Sequence, residues 1–148
     1  MNNKTKNSLD YSKAQLEQYS DDSFLEVLPE RTDESSNSKY VLIKHDYFSS
    51  DSDHGRELLS VYIKRLVASS FNSITVYITD KGVLLLNKDN PLYDDMCNLI
   101  DKAELLIADE ESISHYDISI KDDSKIIVQS ASSVAEDVIY ISGLLILE

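Results

Sequence analysis

The chain reads YVLIKH at residues 40–45, SITVYIT at residues 73–79 and ELLIA at residues 104–108. Two further runs of this kind follow, KIIV at residues 125–128 and LLIL at residues 144–147. Each run is short, apolar and rich in β-branched or aliphatic residues, which is typical of a strand covered on both faces of a sheet. The sequence therefore predicts five strands.

Helical patterns separate these strands. Apolar residues recur at helical spacing between the first two strands, at Leu58, Leu59, Tyr62, Ile63 and Leu66. A second helix is predicted after the second strand, with a buried face formed by Leu92, Met96, Leu99, Ile100 and Ala103. Shorter elements are predicted at residues 83–86, after a turn at Gly82, and at residues 112–116.

Capping residues set the expected ends of two helices. Asn90 is a favourable N-cap and Pro91 fits the first helical position, so the second helix is expected to start there. For the last helix, which carries Val134, Val138, Ile139 and Ile141, Ser132 or Ser133 is the expected N-cap. Gly143 is expected to end that helix.

Strands and helices thus alternate along the chain. Alternation of this kind predicts an α/β fold, a three-layer α/β/α arrangement with a mostly parallel five-stranded sheet. The predicted domain spans residues 40–148, and residues 1–39 are predicted to be a polar N-terminal extension or linker. Within that extension, a few apolar residues form either a short helix or docking strip, or part of a mobile tail: Leu16, Tyr19, Phe24, Leu25, Val27 and Leu28.

Composition narrows the classes of function. With 27 acidic against 14 basic residues the net charge is −13, which disfavours nucleic acid and anionic membrane surfaces as partners. No apolar run approaches the length of a membrane helix, and no secretory signal is recognised. The single cysteine suits a reducing compartment, so a cytoplasmic protein is expected. The scarcity of glycine argues against a phosphate-binding loop.

The carboxyl ends of the predicted strands define the candidate pocket, because ligands of open α/β sheets bind at that edge. Polar residues that follow the strands there form the predicted pocket: His45, Asp46, Asp80, Asp109, Ser112, His115 and Ser130. A histidine–carboxylate group could bind a divalent metal, but the spacing fits no zinc motif, and His45, His54 and His115 are more simply explained as packed or solvated side chains. No metal or cofactor is predicted.

Three stretches of the chain resemble a known family. GRELL at residues 55–59 is similar to its L-G-x-x-L helix, and ITDKGVLL at residues 78–85 to its F-Y-N-x-G-V-x-L motif. LIADEESI at residues 106–113 falls where the family has I-L-S-C-G-T-C-L. In the order and spacing of these stretches, from about Tyr40 to Leu147, the chain resembles the DsrE-like domain of the YedF-type, sulfurtransferase-like selenium metabolism proteins.

The chain departs from the family where the chemistry would lie. The family's cysteine pair falls on Asp109 and Ser112, and Asp80 stands where the family tends to have Asn. Sulfur or selenium transfer needs a thiolate, which neither a carboxylate nor a hydroxyl can replace. The resemblance therefore implies the fold and a homo-oligomer, whereas the departures predict a non-catalytic domain that acts through contacts with a protein partner or with itself.

Two alternatives stay open. One is a sulfur- or selenium-handling protein that uses Cys97, the only thiol. Cys97 is, however, predicted inside the second helix beside Met96 and Ile100, where a free cysteine commonly packs as a small hydrophobe. The other is a small-ligand or metal-binding module built around His45, Asp80, Asp109 and His115. The acidic run Asp109–Glu111 also has two explanations, a cluster that binds a cation or basic partner, or a solvated loop.

Overall fold

Five parallel strands form a single sheet in the computed structural model, which describes residues 37–148. The strands are β1 (Ser38–Ile43), β2 (Ser73–Ile78), β3 (Leu105–Asp109), β4 (Ile126–Gln129) and β5 (Leu145–Leu147), and their order across the sheet is β4-β3-β2-β1-β5. Every neighbouring pair is parallel. The predicted α/β class is confirmed, with a sheet that is wholly rather than mostly parallel. The apolar residues noted between Leu16 and Leu28 lie outside the described residues.

The helices connect the strands in the predicted alternation. They are α1 (Asp53–Val67), α2 (Tyr93–Lys102), α3 (Glu110–His115) and α4 (Ala131–Tyr140), with a 3-10 helix at Asp80–Leu86 between β2 and α2. In α1 the Ser52 side chain caps the first turn by accepting from the Gly55 amide at 3.0 Å, while Lys64 and Arg65 complement the helix dipole in the last turn.

The predicted start of α2 was wrong. The helix begins at Tyr93, two residues beyond Pro91, and has no side-chain cap. Asn90 lies in the turn before it, where its Oδ1 accepts from the amide of Leu92, two residues on, at 2.9 Å. That bond closes a local turn of the kind asparagine favours.

The predicted ends of α4 were also wrong. Ser130, rather than Ser132 or Ser133, is the N-cap, and its Oγ accepts from the Ser133 amide at 3.1 Å. The helix starts almost directly after β4, so the first hydroxyl past the strand takes the capping position. The helix ends at Tyr140, and Gly143, with a φ of 70°, lies in the turn that leads into β5.

The main core lies between the sheet and helices α1 and α2. Alternate strand residues point to this face, among them Val41, Ile43, Val76, Ile78 and Leu106, and they pack with apolar residues of both helices and the 3-10 helix. Leu59 and Ile63 of α1 and Met96 and Leu99 of α2 are fully buried in this cluster, which also matches the predicted buried face of the second helix. Burying each such side chain stabilises the fold by roughly 1.5–3 kcal/mol.

The opposite face of the sheet has a much smaller core. Here α4 covers only the centre of the sheet, where Val134 packs on Leu42, Tyr77 and Ile107. The pairing of the strands extends that row of side chains to Ile146 on β5 and Ile127 on β4. Both of these end residues are exposed, so this face is incompletely covered among the described residues.

Candidate functional site

Asp109 is the centre of a hydrogen-bonded cluster at the carboxyl edge of the sheet. It ends β3, and it is the one polar residue among those described that is buried, at 2% exposure. Its Oδ1 accepts from the Ser112 amide at 2.7 Å and caps α3, while its Oδ2 accepts from the hydroxyls of Ser112, at 2.8 Å, and Thr79. Three donors therefore surround this carboxylate, which is the arrangement that makes a buried carboxylate stable.

The cluster continues from Ser112 to the end of β2. The Asp80 amide donates to Ser112 Oγ at 2.8 Å, and the Tyr116 hydroxyl donates to Asp80 Oδ1 at 3.0 Å. Asp80 has a φ of 50°, a left-handed conformation that aspartate and asparagine adopt more readily than most residues. Asp80, Asp109 and Ser112 of the predicted pocket thus come together, and their polar groups are mostly occupied by one another.

Aromatic rings lie beside this cluster. The His45 ring stacks on Tyr47 with centroids 4.6 Å apart, and the His115 ring meets Tyr116 edge-on at 4.7 Å. Burial raises the pKa of Tyr116 above its usual value, and the hydrogen bond to Asp80 and the negative charges of Asp80 and Asp46 add to that increase. Among the described residues the buried Nδ1 of His45 has no hydrogen-bond partner, so stacking is the contact that orients this ring.

The remaining predicted pocket residues have structural contacts of their own. Asp46 accepts from Asn90 Nδ2 at 3.2 Å, which ties the end of β1 to the turn before α2. Ser130 caps α4, and Glu111 supports the same helix end by accepting from the Ala131 amide at 2.8 Å. Within the acidic run Asp109–Glu111, the side chains of Asp109 and Glu111 therefore accept from amides at helix N-termini, where the helix dipole favours negative charge.

Metal ligands do not converge at this edge. Within residues 37–148 no three histidine, cysteine, aspartate or glutamate side chains are grouped so that they could hold a metal ion. His54 is exposed in the first turn of α1, with its Nδ1 4.0 Å from Glu57 Oε1. None of the helices in the described part of the chain is long and apolar enough to cross a membrane.

Cys97 lies in a different place from the edge cluster. It is half-buried in α2 and lines a cavity of about 380 Å³ together with Tyr93 and Ile100 of the same helix. A hydrogen bond with the Cys97 thiol raises the pKa of Tyr93, and burial adds to the effect. Lys88, from the segment just before α2, and Lys121, from the loop after α3, line the same cavity.

The sequence did not identify several of these residues. Thr79 marked the end of a predicted strand, and that position is the signal that could have placed it beside Asp109. Tyr47 follows the first predicted strand and was expected at the same edge, whereas Tyr116 gave no such signal because its position depends on the length of α3. Lys88 and Lys121 reach the cavity only through the fold.

Comparisons with known proteins support the fold alone. No family model matches the chain, and no curated protein matches it. Solved structures do match: the protein of unknown function MTH1491 from Methanobacterium thermoautotrophicum has a TM-score of 0.51 and 17% identity over 74% of this chain and 97% of its own. The conserved protein of unknown function BT1422 from Bacteroides thetaiotaomicron has a TM-score of 0.53 and 11% identity over 79% of this chain and 100% of its own.

Proposed function

We propose that this domain is non-catalytic and acts through protein–protein contacts, in sulfur or selenium metabolism as the family resemblance implies. The observation that carries the proposal is the bonding of Asp109 and Ser112, the positions where the resemblance expects thiols. The Asp109 carboxylate caps α3 and accepts a hydrogen bond from the Ser112 hydroxyl. Neither side chain can attack sulfur and carry it as a persulfide.

An exposed apolar surface supports the contact role. We call it the α4 face and define it by Tyr40, Ile127, Ile139, Tyr140 and Ile146. Ile139 and Tyr140, on the helix, are 74% and 81% exposed, and the other three lie on the sheet at either side of the helix. Large apolar side chains grouped on one surface commonly mark an interaction site, and tyrosine is enriched at such sites.

A second copy of the chain is the partner we propose for this face. None of its five members is charged, although the exposed Glu136 lies on the same helix one turn before Tyr140, and the chain as a whole carries a net charge of −13. Two copies therefore repel one another over most orientations, and we expect them to meet where charges are few and apolar burial offsets the repulsion.

Measurement of molar mass by light scattering over a concentration series tests this contact. We expect the wild-type chain to be larger than a monomer, and Ile139→Asp and Tyr140→Asp to shift it towards the monomer. Val61→Asp is the matched control, since Val61 is 55% exposed but lies on α1, on the other side of the sheet. A wild-type chain that is monomeric at every concentration would contradict the proposed self-association.

The position of Cys97 favours a second candidate, a sulfur-handling protein. Its thiolate could attack the outer sulfur of a persulfide R–S–SH, giving Cys97–S–SH and releasing R–S⁻, in the cavity that Lys88 and Lys121 also line. Thiol titration of the native chain separates the two candidates. Fast labelling of Cys97 near neutral pH supports the sulfur-handling role, and protection until the chain is denatured rules it out.

A further inference from the structure

The cavity beside Cys97 has the size and shape of a site for a small molecule. Its volume of about 380 Å³ falls in the lower part of the range of roughly 300–1,000 Å³ that is usual for ligand pockets. It is lined by the end of the 3-10 helix and the segment that follows it, by α2, by the loop after α3 and by the first residue of β4. None of its lining residues belongs to the hydrogen-bonded cluster around Asp109.

The inner part of this cavity is apolar. Leu86 and Ile100 are buried there and Ile126 is half-buried, so a ligand that covers them removes further apolar surface from water. The Tyr93 ring adds an aromatic surface beside them. The body of a matching ligand is therefore apolar or aromatic.

The outer part carries charges of both signs. Lys88 and Lys121 are exposed at the cavity, and so are Asp89 and Asp117. Equal numbers of lysine and aspartate stand out in a chain with about two acidic residues for each basic one. A simple anion or a simple cation would meet groups of its own sign there, whereas a molecule with one charge of each sign can pair with both.

We propose that this cavity binds a small zwitterion with an apolar or aromatic body, of the chemical class of an α-amino acid. Its carboxylate pairs with Lys88 or Lys121, its ammonium group pairs with Asp89 or Asp117, and its side chain covers Leu86, Ile100 and Tyr93. The Cys97 thiol is part of the wall and takes no covalent part. This role is separate from the contacts proposed for the α4 face.

Three probes with the same indole ring test the charge requirement: L-tryptophan, tryptamine and indole-3-propionate. Each is titrated into the ¹⁵N-labelled full chain and followed by amide chemical shifts. L-tryptophan is expected to shift the amides of cavity residues such as Tyr93, Cys97 and Ser119, and to bind about fivefold more tightly than either singly charged probe, which corresponds to one exposed ion pair. Absence of saturable shifts at these residues with all three probes overturns the proposal, as does equal binding of the three.

Charge-neutralising variants assign the groups. Lys88→Gln with Lys121→Gln is expected to lower L-tryptophan affinity to that of tryptamine, and Asp89→Asn with Asp117→Asn to lower it to that of indole-3-propionate. Asparagine is chosen at Asp117 because the φ there is 55°, which asparagine tolerates.

Two further variants complete the test. Lys64→Gln with Glu136→Gln, which changes two exposed residues outside the cavity, is the matched control and should bind as the wild type does. Cys97→Ser should also bind L-tryptophan with unchanged affinity. If the control pair weakened L-tryptophan binding as much as the cavity variants do, the proposed recognition by the four charged side chains would be overturned. Loss of L-tryptophan binding in Cys97→Ser would overturn it as well.

Discussion

Asp109 accepts hydrogen bonds from three partly buried donors. Replacing it with alanine removes the cap of α3 and leaves the Ser112 amide and the Thr79 and Ser112 hydroxyls to find other acceptors. We expect Asp109→Ala to lower the free energy of unfolding by about 3 kcal/mol, as measured by urea denaturation.

Two neighbouring substitutions control for this effect. Asp109→Asn keeps one acceptor oxygen and should cost about 1 kcal/mol. Glu110→Ala changes an exposed residue of the same acidic run and should alter stability by less than about 0.5 kcal/mol. An Asp109→Ala variant as stable as Glu110→Ala would contradict the structural role assigned to the carboxylate.

Tyr77 predicts how stability responds to alkaline pH. Burial raises its pKa above the usual value of 10.0, and the charge of Asp137, which accepts from the Tyr77 hydroxyl at 3.4 Å, raises it further. The folded chain therefore holds the proton more tightly than the unfolded chain does, so the contribution to stability is complete below pH 10 and is lost as pH rises through the folded pKa. Unfolding measured from pH 8 to 11 should show that loss, and Tyr77→Phe should reduce its slope; an unchanged slope in Tyr77→Phe would count against this assignment.

At the level of single residues, the sequence predicted which residues lie at the carboxyl edge of the sheet better than it predicted what their side chains bind. Asp80, Asp109 and Ser112 follow predicted strands and do come together. Their hydrogen bonds were not predictable, because whether a carboxylate caps a helix or faces a pocket depends on where that helix starts. The structure has α3 begin at Glu110, two residues before the predicted Ser112, which turns Asp109 into a cap.

Among the secondary-structure elements, the 3-10 helix depends on one glycine. A Cβ atom at Gly82 would lie 2.5 Å from the carbonyl oxygen of Ile43 and 3.0 Å from Ile78 Cγ1, so the helix could no longer lie against the end of β1. We expect Gly82→Ala to lower the free energy of unfolding by about 2 kcal/mol, since neither strand backbone can move without disturbing its neighbours.

Gly143 provides the comparison. Nothing lies within 4 Å of a Cβ atom there, although its φ of 70° is left-handed. Gly143→Asn should therefore cost less than about 1 kcal/mol, because asparagine adopts this conformation. If denaturation showed Gly82→Ala to be no less stable than Gly143→Asn, the close contact with β1 would be refuted.

The presence of each element was predictable from the sequence, whereas the first or last residue of several elements was not. The runs at residues 73–79 and 104–108 favour strands because they are short and rich in β-branched or aliphatic residues, although the equally apolar run at residues 83–86 forms part of the 3-10 helix. The start of α4 could not be read in the same way. Three serines with capping ability, Ser130, Ser132 and Ser133, precede or begin that helix, and the length of β4 decides which of them becomes the N-cap.

For the whole molecule, the alternation of elements determines the parallel sheet, but it does not determine how fully each face is covered. Continuous apolar strands predicted coverage on both sides. Within residues 37–148 the two faces differ because α1 and α2 both pack on one of them, whereas α4 alone packs on the other and leaves Ile127 and Ile146 exposed. The surface proposed for self-association results from this asymmetry.

The cavity also arises only in the whole molecule. Cys97, Lys88 and Lys121 come from α2 and from two separate loops, and the sequence placed Cys97 among apolar neighbours of its own helix. Cys97 does lie on α2 beside Met96, where it is half-buried, and its packing as a small hydrophobe stays a prediction. Its partly exposed side lines a cavity to which other segments of the chain contribute charged residues.

Intact-mass spectrometry after incubation with glutathione persulfide tests most directly whether this domain transfers sulfur. The measurement compares wild type with Cys97→Ser after excess reagent is removed. We predict that neither chain retains an added sulfur atom, because Asp109 and Ser112 offer only oxygen at the positions where the resemblance expects thiols. A stable gain of one sulfur atom in the wild type that is absent from Cys97→Ser would contradict the non-catalytic account.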